Sequence, residues 1–360
     1  MADGIAYGNR ITNFSHNEAA PVVVDAVLSS PTYWARVNGM GKKFSMPTAQ
    51  YTVKVEKTNL TQAYQGLETL NSSASDTTIQ LEFNHTAITH PAVKIFLENM
   101  AAEGAGEDIN LSDFIDAEAV AEINEYLGTI AFATGTGKNP LGLEAIVDDG
   151  TNAATIGGQS RTTYPELNST VTASGGTVSL AKMATLISAI SSGVKNPSIG
   201  VTTETVWNLL EELLLPQNRG SYGDVGYSKL AIRGKNPVRS DVELHGASGF
   251  TAITYRGIPI IADEFATSGV LYFLNENYLE WKGRTSVPKD FKGDFSPISL
   301  GKSMKTLDVP YSQPTSYGWF YQKEQMMPNQ AGRIGRYHVI GQLCSANPRY
   351  HGKLTGITGV

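Results

Sequence analysis

The chain has 360 residues, 28 of them Lys or Arg and 34 Asp or Glu, for a formal net charge of −6. That balance excludes a protein whose whole surface grips nucleic acid through phosphates, and the length excludes a fragment too small for a core. Charged residues make up 17% of the chain, against about 25% in an ordinary soluble domain, which points to a surface with partners.

Residues 1–45 hold one apolar run, Val22 to Leu28, amid Asn, Gly and Pro punctuation, and read as an arm. Residues 49–58 then alternate, with Tyr51, Val53 and Val55 on one face and Thr52, Lys54 and Glu56 on the other. Residues 77–84 repeat the pattern with Ile79, Leu81 and Phe83. The polar segment Asn59 to Asp76 between them is longer than a usual hairpin loop, so the pair predicts a β-hairpin with an extended tip. Nothing nearby in sequence is large enough to cover its apolar face, which implies that the face packs on another chain.

A short helix is predicted from Pro91 to about Ala102, because proline suits a first helical position and Gly104 and Gly106 follow. A longer one of about 20 residues starts at a Ser112 cap, carries Phe114, Ile115, Val120, Ile123, Leu127 and Ile130 at helical spacing, and stops near Gly135. Residues 138–177 are rich in Gly, Thr, Asn and Ser and predict loops and short strands. Helices follow at 180–191 and at 203–215, the second from a Thr203 cap to Pro216. Phe250 to Phe265, Val270 to Trp281, Tyr317 to Gln322 and Tyr337 to Ser345 are β-branched and aromatic and predict strands. Long strands mixed with helices, without βαβ alternation, make the class α+β.

No string carries catalytic chemistry. Gly135-Thr136-Gly137-Lys138 ends a helix where a phosphate loop must begin one, and Phe132 and Asn139 stand where that motif needs Gly and Ser or Thr. His85 and His90 lack metal-site spacing, and Asp148-Asp149 and Asp263-Glu264 read as turn residues. Cys344, the single cysteine, excludes an internal disulfide and reads as a buried small hydrophobe rather than a nucleophile served by His338. No apolar run reaches the ~18 residues of a membrane span. No cofactor or metal is expected. The last 36 residues contain Arg333, Arg336, Arg349 and Lys353 and no acid, a set suited either to ion pairs within the fold or to a polyanion or acidic neighbour.

Four strings in order give a resemblance: Asn139-Pro140-Leu141-Gly142-Leu143-Glu144 with Gly157 to Pro165, Gly249-Phe250-Thr251 through Asp263, Leu271 to Asn275, and Gly341 through Arg349. Together they resemble the major capsid proteins of tailed double-stranded DNA bacteriophages across nearly the whole chain. The resemblance implies the tailed-phage capsid fold: an N-terminal arm at 1–45, an extended β-hairpin loop at 46–86, a peripheral domain with its spine helix at 87–137, an axial domain at 138–270, and return strands at 271–360 completing the peripheral domain. It implies a non-enzymatic subunit forming hexamers and pentamers of an icosahedral virion head, assembled in the bacterial cytoplasm around double-stranded DNA contacted weakly and without sequence reading. It further implies a portal, a decoration protein in some relatives, and a separate scaffolding protein, since the sequence starts almost at the arm. An encapsulin-like compartment shell of the same fold is the alternative. Lys54 and Lys57 read as solvated lysines rather than cross-linking ones.

Overall fold

The computed structural model describes residues 31–44, 48–57, 61–70, 76–97, 111–135, 137–193, 195–214, 253–298, 317–328 and 330–359. The run Val22 to Leu28, Gly249 to Ala252 and the Pro216 stop lie outside the described residues, as do residues 98–102 of the helix expected after Pro91.

Two six-stranded sheets organise the chain. The first contains β1 (Lys42–Phe44), β12 (Leu279–Arg284), β15 (Gly332–Ser345), β14 (Trp319–Met326) and β13 (Phe295–Pro297) in that order, with β4 (Thr86–Ile95) paired along β15. The second runs β7 (Thr170–Thr177), β16 (Gly352–Gly359), β11 (Leu271–Leu274), β8 (Ile199–Thr202), β10 (Ile258–Ala262), β9 (Ile253–Tyr255). The C-terminal block expected to complete only the peripheral domain therefore divides: β12 to β15 join the first sheet, whereas β11 and β16 join the second. Pairing decides this, because Leu271 and Leu354 are register partners at the centre of the second sheet.

The helix expected from Pro91 is also corrected. Residues 86–95 pair antiparallel with β15 over ten positions, Pro91 opposite Arg336. Proline is tolerated because β4 has only one strand neighbour. The face bearing Ala92 and Lys94 packs under α2 (Leu111–Ala131), the long helix, which begins one residue before the expected Ser112 cap. Lys94 binds Asp116 of α2 at 2.8 Å and Glu324 of β14 at 2.7 Å, an ionic tie between strand, helix and sheet.

The described residues of the expected arm join the subunit's own fold. Residues 32–39 form α1 (Thr32–Gly39), whose Tyr33, Trp34 and Val37 enter the main core with Ile123, Leu127, Tyr272 and Trp281. Asp263, a turn residue as its sequence suggested, accepts hydrogen bonds from the Tyr33 N–H at 2.7 Å and the Phe265 N–H at 2.9 Å, and burial raises its pKa. Arg36 forms a buried two-point ion pair with Glu276. A helix buried from Tyr33 to Asn38 with these partners belongs to the subunit's own core.

A second core lies between the far face of the second sheet and two helices, α4 (Leu180–Ile190) and α5 (Glu204–Leu214). Ser179 caps α4 by accepting from the Lys182 N–H, whereas the Thr203 hydroxyl expected to cap α5 has no hydrogen-bond partner among the described residues. Residues 138–177 form the short α3 (Leu143–Ile146), the two-residue strands β5 (Thr155–Ile156) and β6 (Gln159–Ser160), and β7. Arg161 holds this region together, its buried guanidinium donating to the carbonyls of Asp148, Leu167, Ala145 and Ile146 at 2.7–3.1 Å. Among the described residues, no helix is long and apolar enough to cross a membrane.

Candidate assembly surfaces

The predicted hairpin forms as β2 (Thr48–Lys54) and β3 (Thr78–Asn84), paired antiparallel from Thr48 opposite Asn84 to Lys54 opposite Thr78. Its apolar face does not wait for another chain. Val53, Val55, Leu81 and Phe83 are buried with Ile156, Leu167 and Cys344 of the same subunit, and Tyr51 and Ile79 pack beside them half-buried. The β5–β6 turn is the seat that sequence inspection could not foresee. The Glu82 N–H donates to the Gly157 carbonyl at 2.9 Å, and Gly157 lies at φ +54°, where a Cβ would stand 2.8 Å from that of Leu81. Only glycine suits both the conformation and the approach.

Beside this seat, Tyr51 donates its hydroxyl to Glu280 at 3.3 Å, and the Lys282 ammonium lies 4.0 Å from the Tyr51 ring centroid. Burial pushes the Cys344 thiol up to about 12, so the thiolate needed for nucleophilic chemistry is strongly disfavoured. His338 instead stacks against Phe295.

Beyond the strands the hairpin projects free of its own subunit. Residues 61–70 are all exposed, including Tyr64 at 64%, Leu67 at 107% and Leu70 at 52%. These three large side chains are the residues the sequence reading missed, having read the segment as merely polar. Their signal was their spacing, one every third residue. Phe96 and Leu97 after β4, and Met326 at the end of β14 across β15, are also exposed, and the Phe96 N–H donates to the Ala331 carbonyl.

The four basic residues of the C-terminal stretch are not brought together. Lys353 is buried in the second sheet, 3.6 Å from the buried carboxylate of Asp148, and is a structural cation rather than a surface one. Asp148 also accepts from the N–H groups of Gly150, Asn152 and Ala153, confirming it as a turn residue. Arg333 is exposed and stands 3.9 Å from Glu324, Arg336 lies three residues along β15, and Arg349 is exposed on the link between the sheets. His90 lies 3.2 Å from Glu122 of α2, and His85 meets the Phe44 ring edge-to-face. No group of three metal-ligating side chains occurs among the described residues.

No protein-family profile and no curated protein sequence matches the chain. Solved structures do. The capsid asymmetric unit of cyanophage A-1(L) superposes with a TM-score of 0.67 at 15% identity, covering 95% of this chain and 97% of that one. This chain has the tailed-phage capsid fold. The capsid of a native GTA particle matches at TM-score 0.59 and 8% identity over 94% of each chain. An encapsulin complex from Synechococcus elongatus matches at 0.58 and 9%, over 99% of this chain and 96% of that one. The layout expected from the resemblance assigns the hairpin to the extended loop, α2 to the spine helix, the first sheet to the peripheral domain and the second sheet to the axial domain.

Proposed function

We propose that this chain is the major capsid subunit of a tailed phage, self-assembling as hexamers and pentamers into an icosahedral head around double-stranded DNA. The observation that carries the reading is the whole-chain match to capsid structures, which spans 94–95% of this chain. Surface chemistry supports it. The tip residues Tyr64, Leu67 and Leu70, and separately Phe96, Leu97 and Met326, are large apolar side chains left uncovered among the described residues. A contact between two different patches is head-to-tail, the kind that can close into rings.

On this reading the role is structural rather than enzymatic, and the shell is built in the host cytoplasm and ends as the virion capsid. The extended loop makes its inter-subunit contact through its tip, the Val53, Val55, Leu81 and Phe83 face being the anchor that holds the tip out. Exposed Arg333 and Arg349 and half-buried Arg336 are available for weak DNA contact or for neighbouring acids, and buried Lys353 is not. A separate scaffolding protein, a portal and a decoration protein are the further partners of this role.

An encapsulin-like shell is the second reading, favoured by the match over 99% of this chain. Electron microscopy of the chain expressed alone and with its neighbouring reading frames tests both. Closed particles or five- and sixfold capsomers are expected, with nuclease-protected DNA in the co-expressed shells. Protein cargo in DNA-free shells would favour the compartment, and the absence of any particle would overturn self-assembly.

A further inference from the structure

We propose that Arg256 is an inter-subunit contact residue, meeting the carboxylates of Asp149 and Glu166 on a second copy of this chain. The inference rests on the self-assembly reading above.

The turn between β9 and β10 consists of Arg256 and Gly257, at φ +51° and +76°. A two-residue hairpin with both residues in the left-handed region is the setting where Asn-Gly or Gly-Gly is preferred, because a long side chain is disfavoured there. Arg256 is the single non-glycine residue with positive φ among the described residues. Among the described residues its side chain has no ion-pair partner that would justify the conformation. It is exposed, and its guanidinium carbon is 5.8 Å from the Tyr255 ring centroid. Strain of this kind at an exposed position points outward, to a contact that the isolated subunit lacks.

Register says which surface is available to receive it. One row crosses the whole axial sheet: Thr170, Gly352, Phe273, Gly200, Ile260 and Ile253 are successive partners from edge strand β7 to edge strand β9. Five strand spacings separate the edges, about 24 Å, too far for a contact within one subunit. The strand directions place the Arg256 turn beyond Ile253 at the same end of the sheet where β7 begins at Thr170. At that beginning, the Ser169 N–H bonds the Asp148 carbonyl at 2.9 Å, and the neighbouring Asp149 and Glu166 are exposed. Asp149 bonds Thr151, which holds its pKa below the usual value, and Glu166 has no cation partner among the described residues. One flank of the sheet thus presents an exposed cation with no ion pair among the described residues, and the other two exposed carboxylates, at the same end. Copies placed edge to edge around a ring bring them together.

The test uses the full chain with three variants: Arg256→Gly, Arg256→Glu, and Arg256→Glu combined with Asp149→Arg and Glu166→Arg. Thermal unfolding of unassembled subunits is read beside assembly by sedimentation and negative-stain microscopy. Arg256→Gly should keep or raise the unfolding midpoint while reducing assembled protein roughly tenfold near the assembly threshold. Arg256→Glu should fold without assembling, and the triple variant should recover particles. Wild-type assembly by Arg256→Glu, no recovery in the triple variant, or a lowered midpoint in Arg256→Gly would each overturn the contact. Failure of the wild-type chain itself to assemble would overturn the proposed function, and this inference with it.

Discussion

The hairpin's two parts should respond oppositely to mutation. Leu81 is fully buried against the β5–β6 seat, so Leu81→Ala removes core packing and leaves a cavity, at a cost of about 2–5 kcal/mol. Unfolding entropy of about 2.1 cal/mol/K per residue over 360 residues gives about 0.76 kcal/mol/K, so a 3 kcal/mol loss lowers the midpoint by about 4 °C. Leu67 is fully exposed, and Leu67→Asp should change unassembled-subunit stability by less than about 0.5 kcal/mol. In a shell, however, a docked leucine contributes about 1.5–3 kcal/mol, roughly one to two decades of affinity per contact before any penalty for burying the charge. Calorimetry of dissociated subunits and sedimentation of assembly mixtures separate the two effects. An unchanged midpoint in Leu81→Ala would refute the seat, and wild-type shells from Leu67→Asp would refute the tip.

Three further outcomes are expected. Lys353→Met should destabilise the subunit by about 3–5 kcal/mol by stranding the buried Asp148 carboxylate, whereas Arg349→Gln should leave urea unfolding unchanged; equal effects would contradict the burial difference. His351 is fully buried, accepts from the Asn275 N–H, contacts the Ser345 hydroxyl, and is depressed by burial to about 3. Its folded pKa lies below its unfolded value near 6.5, so the unfolded chain binds the extra proton and stability falls as pH drops from about 6.5 towards 3. His351→Gln should flatten that part of the pH–stability curve relative to wild type, and parallel curves would rule the residue out as its source. Gly157→Ala should unseat the hairpin, read as faster proteolysis within residues 61–70, because its Cβ meets Leu81 in a backbone conformation alanine resists.

Local periodicity determined β2, β3, α4 and α5, because each buries one face and a half-buried element writes its period into its sequence, and α2 was marked by the helical spacing of Ile115, Val120, Ile123 and Leu127 on its main-core side. It also supplied the ordered strings whose resemblance anticipated the fold. Tertiary pairing decided what period does not encode. Pro91 to Ile95 became strand because β15 offered ten register partners, and the strands after residue 270 were sorted between two sheets by partners distant in sequence. The candidate surfaces divided in the same way. Alternation in β2 and β3 showed that Val53 and Leu81 face something apolar, and only the folded chain showed that the something is Ile156 and Leu167 of the same subunit. Lys353 and Arg349 are alike in a sequence, both cations in an acid-free stretch. One lies beside Asp148 and the other in solvent because β16 is an interior strand of its sheet and the link before it is not, and burial is a property of that placement rather than of the residue.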